Sequence, residues 1–189
     1  MKFKIAAIGA LALTLTGCVT PESSEALKVT TVVNQVNIVG NTNPIINVAK
    51  QNKMLEDLRV TANTKRMQHA FSKLKSHVGK TWYVFSGASP AGWDCSGLTM
   101  WFYEQLNINI EHRASKQQDA GQIVKSPKLG DIVVFKYRGR SDAYHVGIYA
   151  GNGKMVHAPK HGHLTRVEDI STFAGSYSKI LYVRVLDTI

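Results

Sequence analysis

Residues 92–102 read GWDCSGLTMWF. Asp94 is a favoured helix N-cap residue, because its side chain can accept from the free N–H groups of a first turn. Leu98, Trp101 and Phe102, followed by Leu106, recur at the spacing of one apolar helical stripe. Cys95 therefore falls in the first turn of an expected helix. Unpaired N–H groups and the positive end of the helix dipole favour a thiolate there. The same N–H groups face the space where an oxyanion forms during acyl transfer. The Asp94 carboxylate opposes thiolate formation, except as far as capping occupies it. A small buried residue also reads this way, so the stretch raises the chemistry without settling it.

Upstream, Met67, Ala70, Phe71, Leu74 and Val78 lie at helical spacing and Gly79 suits the end of that helix. Residues 81–94 carry loop chemistry at Gly87, Ser89, Pro90 and Gly92. Residues 19–65 contain no aromatic residue, are rich in Asn, Thr and Val, and read as a tether with weak extended or helical character. Before it, MKFK and the apolar run of residues 5–16 have signal-peptide form, too short to span a bilayer comfortably. The run ends in LTGC, residues 15–18, which resembles the lipobox of bacterial lipoproteins and implies acylation of Cys18. The expected organisation is a signal peptide over 1–17, a tether over 18–65 and a catalytic domain over 66–189. In an exported, oxidising setting, cysteines pair where they can. With Cys18 lipidated, Cys95 has no partner within the chain, which leaves a buried small residue or a thiol kept for chemistry.

Downstream come strand signals at 131–137, 144–150, 154–158 and 179–186, with AGNG (150–153) as a hairpin turn. The segment VEDISTF, 167–173, reads as a short helix or helical turn, and 114–121 as a short helix. Helices followed by strands predict an α+β domain with an antiparallel sheet.

A cysteine nucleophile needs a base, usually histidine, and an orienting partner. Of seven histidines, only His145 and His157 lie in strong strand patterns. Pairing about AGNG sets His145 opposite roughly residue 158, beside His157. Side-chain alternation leaves open whether the two rings share a face. His157, His161 and His163 match no standard zinc spacing, so no metal or cofactor is expected.

Composition narrows the partners. Hydrophobic residues make up 44% of 189, enough for a core, and the formal charge is +10. That charge suits an anionic partner. Lys and Arg are scattered without an aromatic-interleaved basic motif, so nucleic acid is not the expected one.

Together, YVFSGASPAGWDCSGL, LGDIVVF, HVGIYAGNG and MVHA resemble, in order and spacing, the NlpC family of bacterial cell-wall cysteine peptidases, over about residues 66–186. The resemblance implies a papain-like core with N-terminal helices and the nucleophile at a helix N-terminus packed on the sheet. It implies Cys95 as nucleophile, His145 as general base and His157 as third member. It also implies Tyr83 as an aid to substrate or oxyanion binding, and Asp94 and Ser96 as contacts to the substrate's amine end. The implied substrate is the peptidoglycan stem peptide, cut between γ-D-glutamate and a diamino acid; the amide between muramic acid and L-alanine is the alternative bond. The sequence differs from the family pattern at Phe85, at Ser86 where a glycine is usual, and at His112 where proline is common.

The expected protein is a monomeric hydrolase of the cell envelope, anchored through lipid on Cys18. Val19 lacks the aspartate that resembles an inner-membrane retention signal, which points to the outer membrane in a two-membrane host. An acyltransferase or thioesterase on a papain-like core, and a non-catalytic envelope scaffold, are the rival readings.

Overall fold

The computed structural model describes residues 44–176 and 178–187. The expected signal peptide, Cys18 and the tether up to residue 43 lie outside the described residues.

Helix α1 (Pro44–Ser76) runs for 33 residues. Met67, Ala70, Phe71 and Leu74 are buried, as their spacing predicts, and Asn63 joins them by donating to the carbonyl of Asp187. The helix does not begin at the expected domain boundary. It continues N-terminally past residue 65 through a stretch where Val48, Met54, Leu55 and Leu58 are exposed. No glycine or proline interrupts residues 45–76, Pro44 suits a first helical position, and Glu56 pairs with Arg59 three residues on.

A short hairpin, β1 (Ala88–Ser89) and β2 (Gly92–Trp93), leads into α2 (Cys95–Glu104). Then follow α3 (Ala114–Gln117), β3 (Gln122–Val124), β4 (Ile132–Tyr137), β5 (Ala143–Gly151), β6 (Lys154–His157), β7 (Arg166–Asp169), α4 (Ile170–Ala174) and β8 (Ser178–Arg184). Six strands form one antiparallel sheet in the order β3-β8-β4-β5-β6-β7. VEDISTF is not one helical piece. Its first half lies in β7, where partly buried and exposed residues alternate, and only its second half turns into α4.

Alternation along the strands builds two cores. Ile132, Val134, Val146, Ile148, Val156 and Val183 pack with α1 and α2, meeting Leu74, Leu98, Phe102 and Leu106. Val133, Phe135 and Met155 pack with Ile170, Ala174 and Phe173. Each large apolar side chain fully buried this way contributes about 1.5–3 kcal/mol. The first core seats the N-terminus of α2 against β5.

Candidate active site

The turn before α2 is held by one carboxylate. Asp94 Oδ1 accepts from the Gly97 amide at 2.7 Å, the Ser96 hydroxyl at 2.9 Å and His112 Nε2 at 3.0 Å. Asp94 Oδ2 accepts from the Ser86 amide at 3.0 Å. Burial raises the Asp94 pKa, but the Gly97 amide, His112 and Ser96 outweigh it and the net direction is down. Ser86 adopts φ 57, a left-handed conformation, at the position where the family resemblance has glycine. Gly97 is required by close approach, since a Cβ there would stand 1.9 Å from the Gly87 carbonyl oxygen. His112 thus has a definite task in place of proline, and Gln117 has one too. Fully buried, Gln117 donates to the carbonyls of Ser96 and Glu111.

Across from this turn, β5 and β6 carry the two histidines. The ladder pairs Ile148 with Val156 and Tyr149 with Met155, with an irregularity between Tyr149 and Gly151. Continued, this register sets His157 opposite Gly147, one residue away from the expected pairing. The shift decides the site. The expected register would have put His157 beside Val146 and on the other face from His145, whereas the observed one puts both rings on one face. Gly147 leaves room between them, because a Cβ there would come within 3.1 Å of the His157 Cβ. His145 Nε2 and His157 Nδ1 are 2.8 Å apart. His157 Nε2 is in turn 2.9 Å from Glu168 Oε2 on β7, and Arg166 grips the same oxygen through Nε at 2.9 Å and Nη2 at 2.8 Å. Phe173 of α4 packs against both imidazoles.

Cys95 meets this row at the strand. The backbone amides of Val146, next in chain to His145, of Ser96 and of Cys95 itself lie near its sulfur and lower its pKa. No Cys95–His145 hydrogen bond is formed among the described residues. Tyr83 stands close by, its hydroxyl pKa raised by burial and then by the charges of Cys95 and Asp94.

The helix terminus does not win the electrostatics of the thiol. Burial pushes the Cys95 pKa up to about 11, against the three amides that lower it, and Asp94 adds to the rise. The sequence-based expectation of a depressed thiol is therefore corrected, because desolvating a thiolate costs more than a few N–H groups return. Burial, then His157, holds His145 well below the usual imidazole value. His157 is lowered to about 4, mainly by burial, although Glu168 pulls the other way. Thiol and both rings are neutral at pH 7.

Residues 79–187, more than half of the chain, match the NlpC/P60 family. The chain belongs to that family. A relative, murein DD-endopeptidase MepH of Escherichia coli K12, is 37% identical over 123 residues, 62% of this chain and 45% of that protein. The gamma-D-glutamyl-L-lysine dipeptidyl-peptidase of Bacillus subtilis 168 is 39% identical over 83 residues, 42% of this chain and 28% of that protein. The chain thus spans less than half the length of these two curated relatives. The solved NlpC/p60 domain of the peptidoglycan hydrolase SagA superposes with a TM-score of 0.54 at 30% identity, covering 62% of this chain and 98% of that one. The α+β, papain-like architecture expected from sequence is that of the NlpC/P60 fold. Glu168 and Arg166 escaped the sequence reading, since VEDISTF reads as a helical piece and nothing in the polar RVED segment announces its pairing with the strand that carries His157.

Proposed function

We propose that the protein is a peptidoglycan hydrolase, a thiol endopeptidase acting on stem-peptide amides, with Cys95 as nucleophile, His145 as base and His157 as its orienting partner. The observation that carries this reading is a helix-start thiol set against the Val146 amide of β5, next in chain to a His145 that is hydrogen-bonded to His157 on β6. With its Nε2 directed at His157, His145 has Nδ1 left for the thiol proton. Substrate entry tightens such a contact, as catalytic hydrogen bonds are often long before binding. The Sγ–H proton passes to His145 Nδ1 as sulfur adds to the carbonyl carbon. The charge arising on oxygen is met by the first-turn amides of α2 and by the Tyr83 hydroxyl. The imidazolium returns the proton to the leaving amine, the C–N bond breaks, and a thioester remains. Water then adds, its proton going to His145; the C–S bond breaks, the imidazolium returns that proton to the departing sulfur, and the free acid is released. Neutral reactants become a charge pair, imidazolium and oxyanion, only as sulfur adds, so the high thiol pKa is compatible with turnover at pH 7.

Asp94 Oδ2 accepts one hydrogen bond against three at Oδ1, so it retains capacity for a substrate amine. Ser96, held to Asp94, completes that end of the site. The first bond we assign is γ-D-glutamyl–diamino acid, the chemistry in the Bacillus subtilis relative's name. The D,D linkage in the Escherichia coli relative's name is the second reading. A lipid on Cys18 would hold the enzyme in the cell envelope, at the outer membrane in a two-membrane host, and Cys18→Ser should then shift it from the membrane to the soluble fraction.

Mass analysis of purified sacculi digested with wild type and with Cys95→Ala tests the core reading. Fragments ending at γ-D-glutamate, released by wild type alone, support the first bond. Fragments cut at the D,D linkage select the second. Equal release by Cys95→Ala ends the thiol mechanism, and no release by either returns the protein to the scaffold reading.

A further inference from the structure

Behind the two histidines, Glu168 makes a third link that the proposed mechanism does not use. His157 and Arg166 are directly paired across the β6–β7 ladder, and Glu168 lies two residues along on the same face of β7. Arg166 holds Glu168 Oε2 with two donors at 2.9 and 2.8 Å, and His157 Nε2 approaches the same atom at 2.9 Å. A carboxylate paired with guanidinium has no proton to give and only accepts. His157 Nε2 must then carry the hydrogen. In a neutral ring this leaves Nδ1 bare, so the 2.8 Å contact requires His145 Nε2 to be the donor. His145 Nδ1 is then bare as well.

We infer that Glu168, clamped by Arg166, is a positioning residue that sets the tautomers of both His157 and His145, leaving His145 Nδ1 as the acceptor for the Cys95 proton. The direction of every hydrogen bond in the row follows from the one group in it that cannot donate. Without that group the row can run the other way, with His145 Nδ1 protonated and of no use as a base. The role is remote from substrate, so it acts on kcat and leaves KM alone. Its catalytic consequence rests on the proposed Cys95–His145 chemistry, whereas the tautomer assignment does not.

The test pairs 15N NMR of histidine-labelled full-length protein with steady-state kinetics for wild type, Glu168→Ala and Glu168→Gln. In the resting wild type both rings should show protonated Nε2 and bare Nδ1. Glu168→Ala should mix the tautomers and lower kcat by about 10- to 100-fold with KM within about twofold, less than the ~10⁴-fold lost when a directly bonded orienter imposes the wrong tautomer. Glu168→Gln, which keeps an accepting oxygen for Arg166 and His157, should recover part of both signals. Thermal melting of the two variants separates this from loss of fold, because Glu168→Gln preserves shape and remains informative if Glu168→Ala melts early. A bare Nε2 on either wild-type ring overturns the inference. So do unchanged tautomers or unchanged kcat in a folded Glu168→Ala. The NMR arm needs no substrate, so it stands apart from any failure of the hydrolase reading.

Discussion

The two halves of the candidate site are built differently. The Cys95 half is local: Asp94, Ser96 and Gly97 are neighbours in sequence, and Ser86, Gly87 and His112 reach the turn from flanking loops. The histidine half is spread over three strands. His145, His157, Glu168 and Arg166 meet only because β5, β6 and β7 pair in one register. A local turn fails by steric damage to itself. A cross-strand row fails when any one link loses its direction, and that damage appears in chemistry before it appears in stability.

The sharpest break is in the row. His145→Ala should lower kcat by about 100- to 10,000-fold, the usual worth of positioned proton transfer. His157→Ala should cost less, and His157→Asn less again because an amide can still orient the base. Steady-state kinetics on soluble muropeptides checks the ranking, and equal losses in all three would show that His157 does more than orient the base.

Titration sharpens the comparison next. His157 has a folded pKa near 4, below the ~6.5 of an unfolded imidazole. As pH falls the unfolded chain takes up the proton first, so this contribution is present above pH 6.5 and lost between 6.5 and 4. The loss approaches about 3 kcal/mol, read as a falling midpoint in urea melts. On the local side, alkylation of Cys95 should accelerate with pH through the range of an ordinary thiol and toward 11. A plateau below pH 8 would mean that the helix terminus outweighs burial.

Gly97→Ala attacks the turn by shape. The added methyl would meet backbone, the Gly87 carbonyl oxygen at 1.9 Å, so overpacking should cost about 1–3 kcal/mol with a parallel loss of activity. The smallest change is Ser86→Gly. It relieves the left-handed serine but loosens the unfolded chain, and the two effects offset to a gain below about 1 kcal/mol. A loss of stability would show that the Ser86 side chain itself supports the loop.

The sequence by itself determined what depends on near neighbours. The helical periods of residues 67–74 and 98–106 are local patterns, as are the Asp94 cap that puts Cys95 in a first turn, four of the strands and the hairpin that brings His145 toward His157. All are legible because side-chain spacing and capping act over a few residues. Tertiary structure decided the rest. The irregularity between Tyr149 and Gly151 moved the hairpin by one residue, and with a side-chain period of two that shift alone put both imidazoles on one face. The reach of Glu168 to His157 depends on how β7 pairs with β6, which no motif in RVED announces. The thiol pKa rose because the first core closes over the N-terminus of α2. Desolvation is a property of everything packed around a group, and the eleven residues from Gly92 to Phe102 carry no record of it.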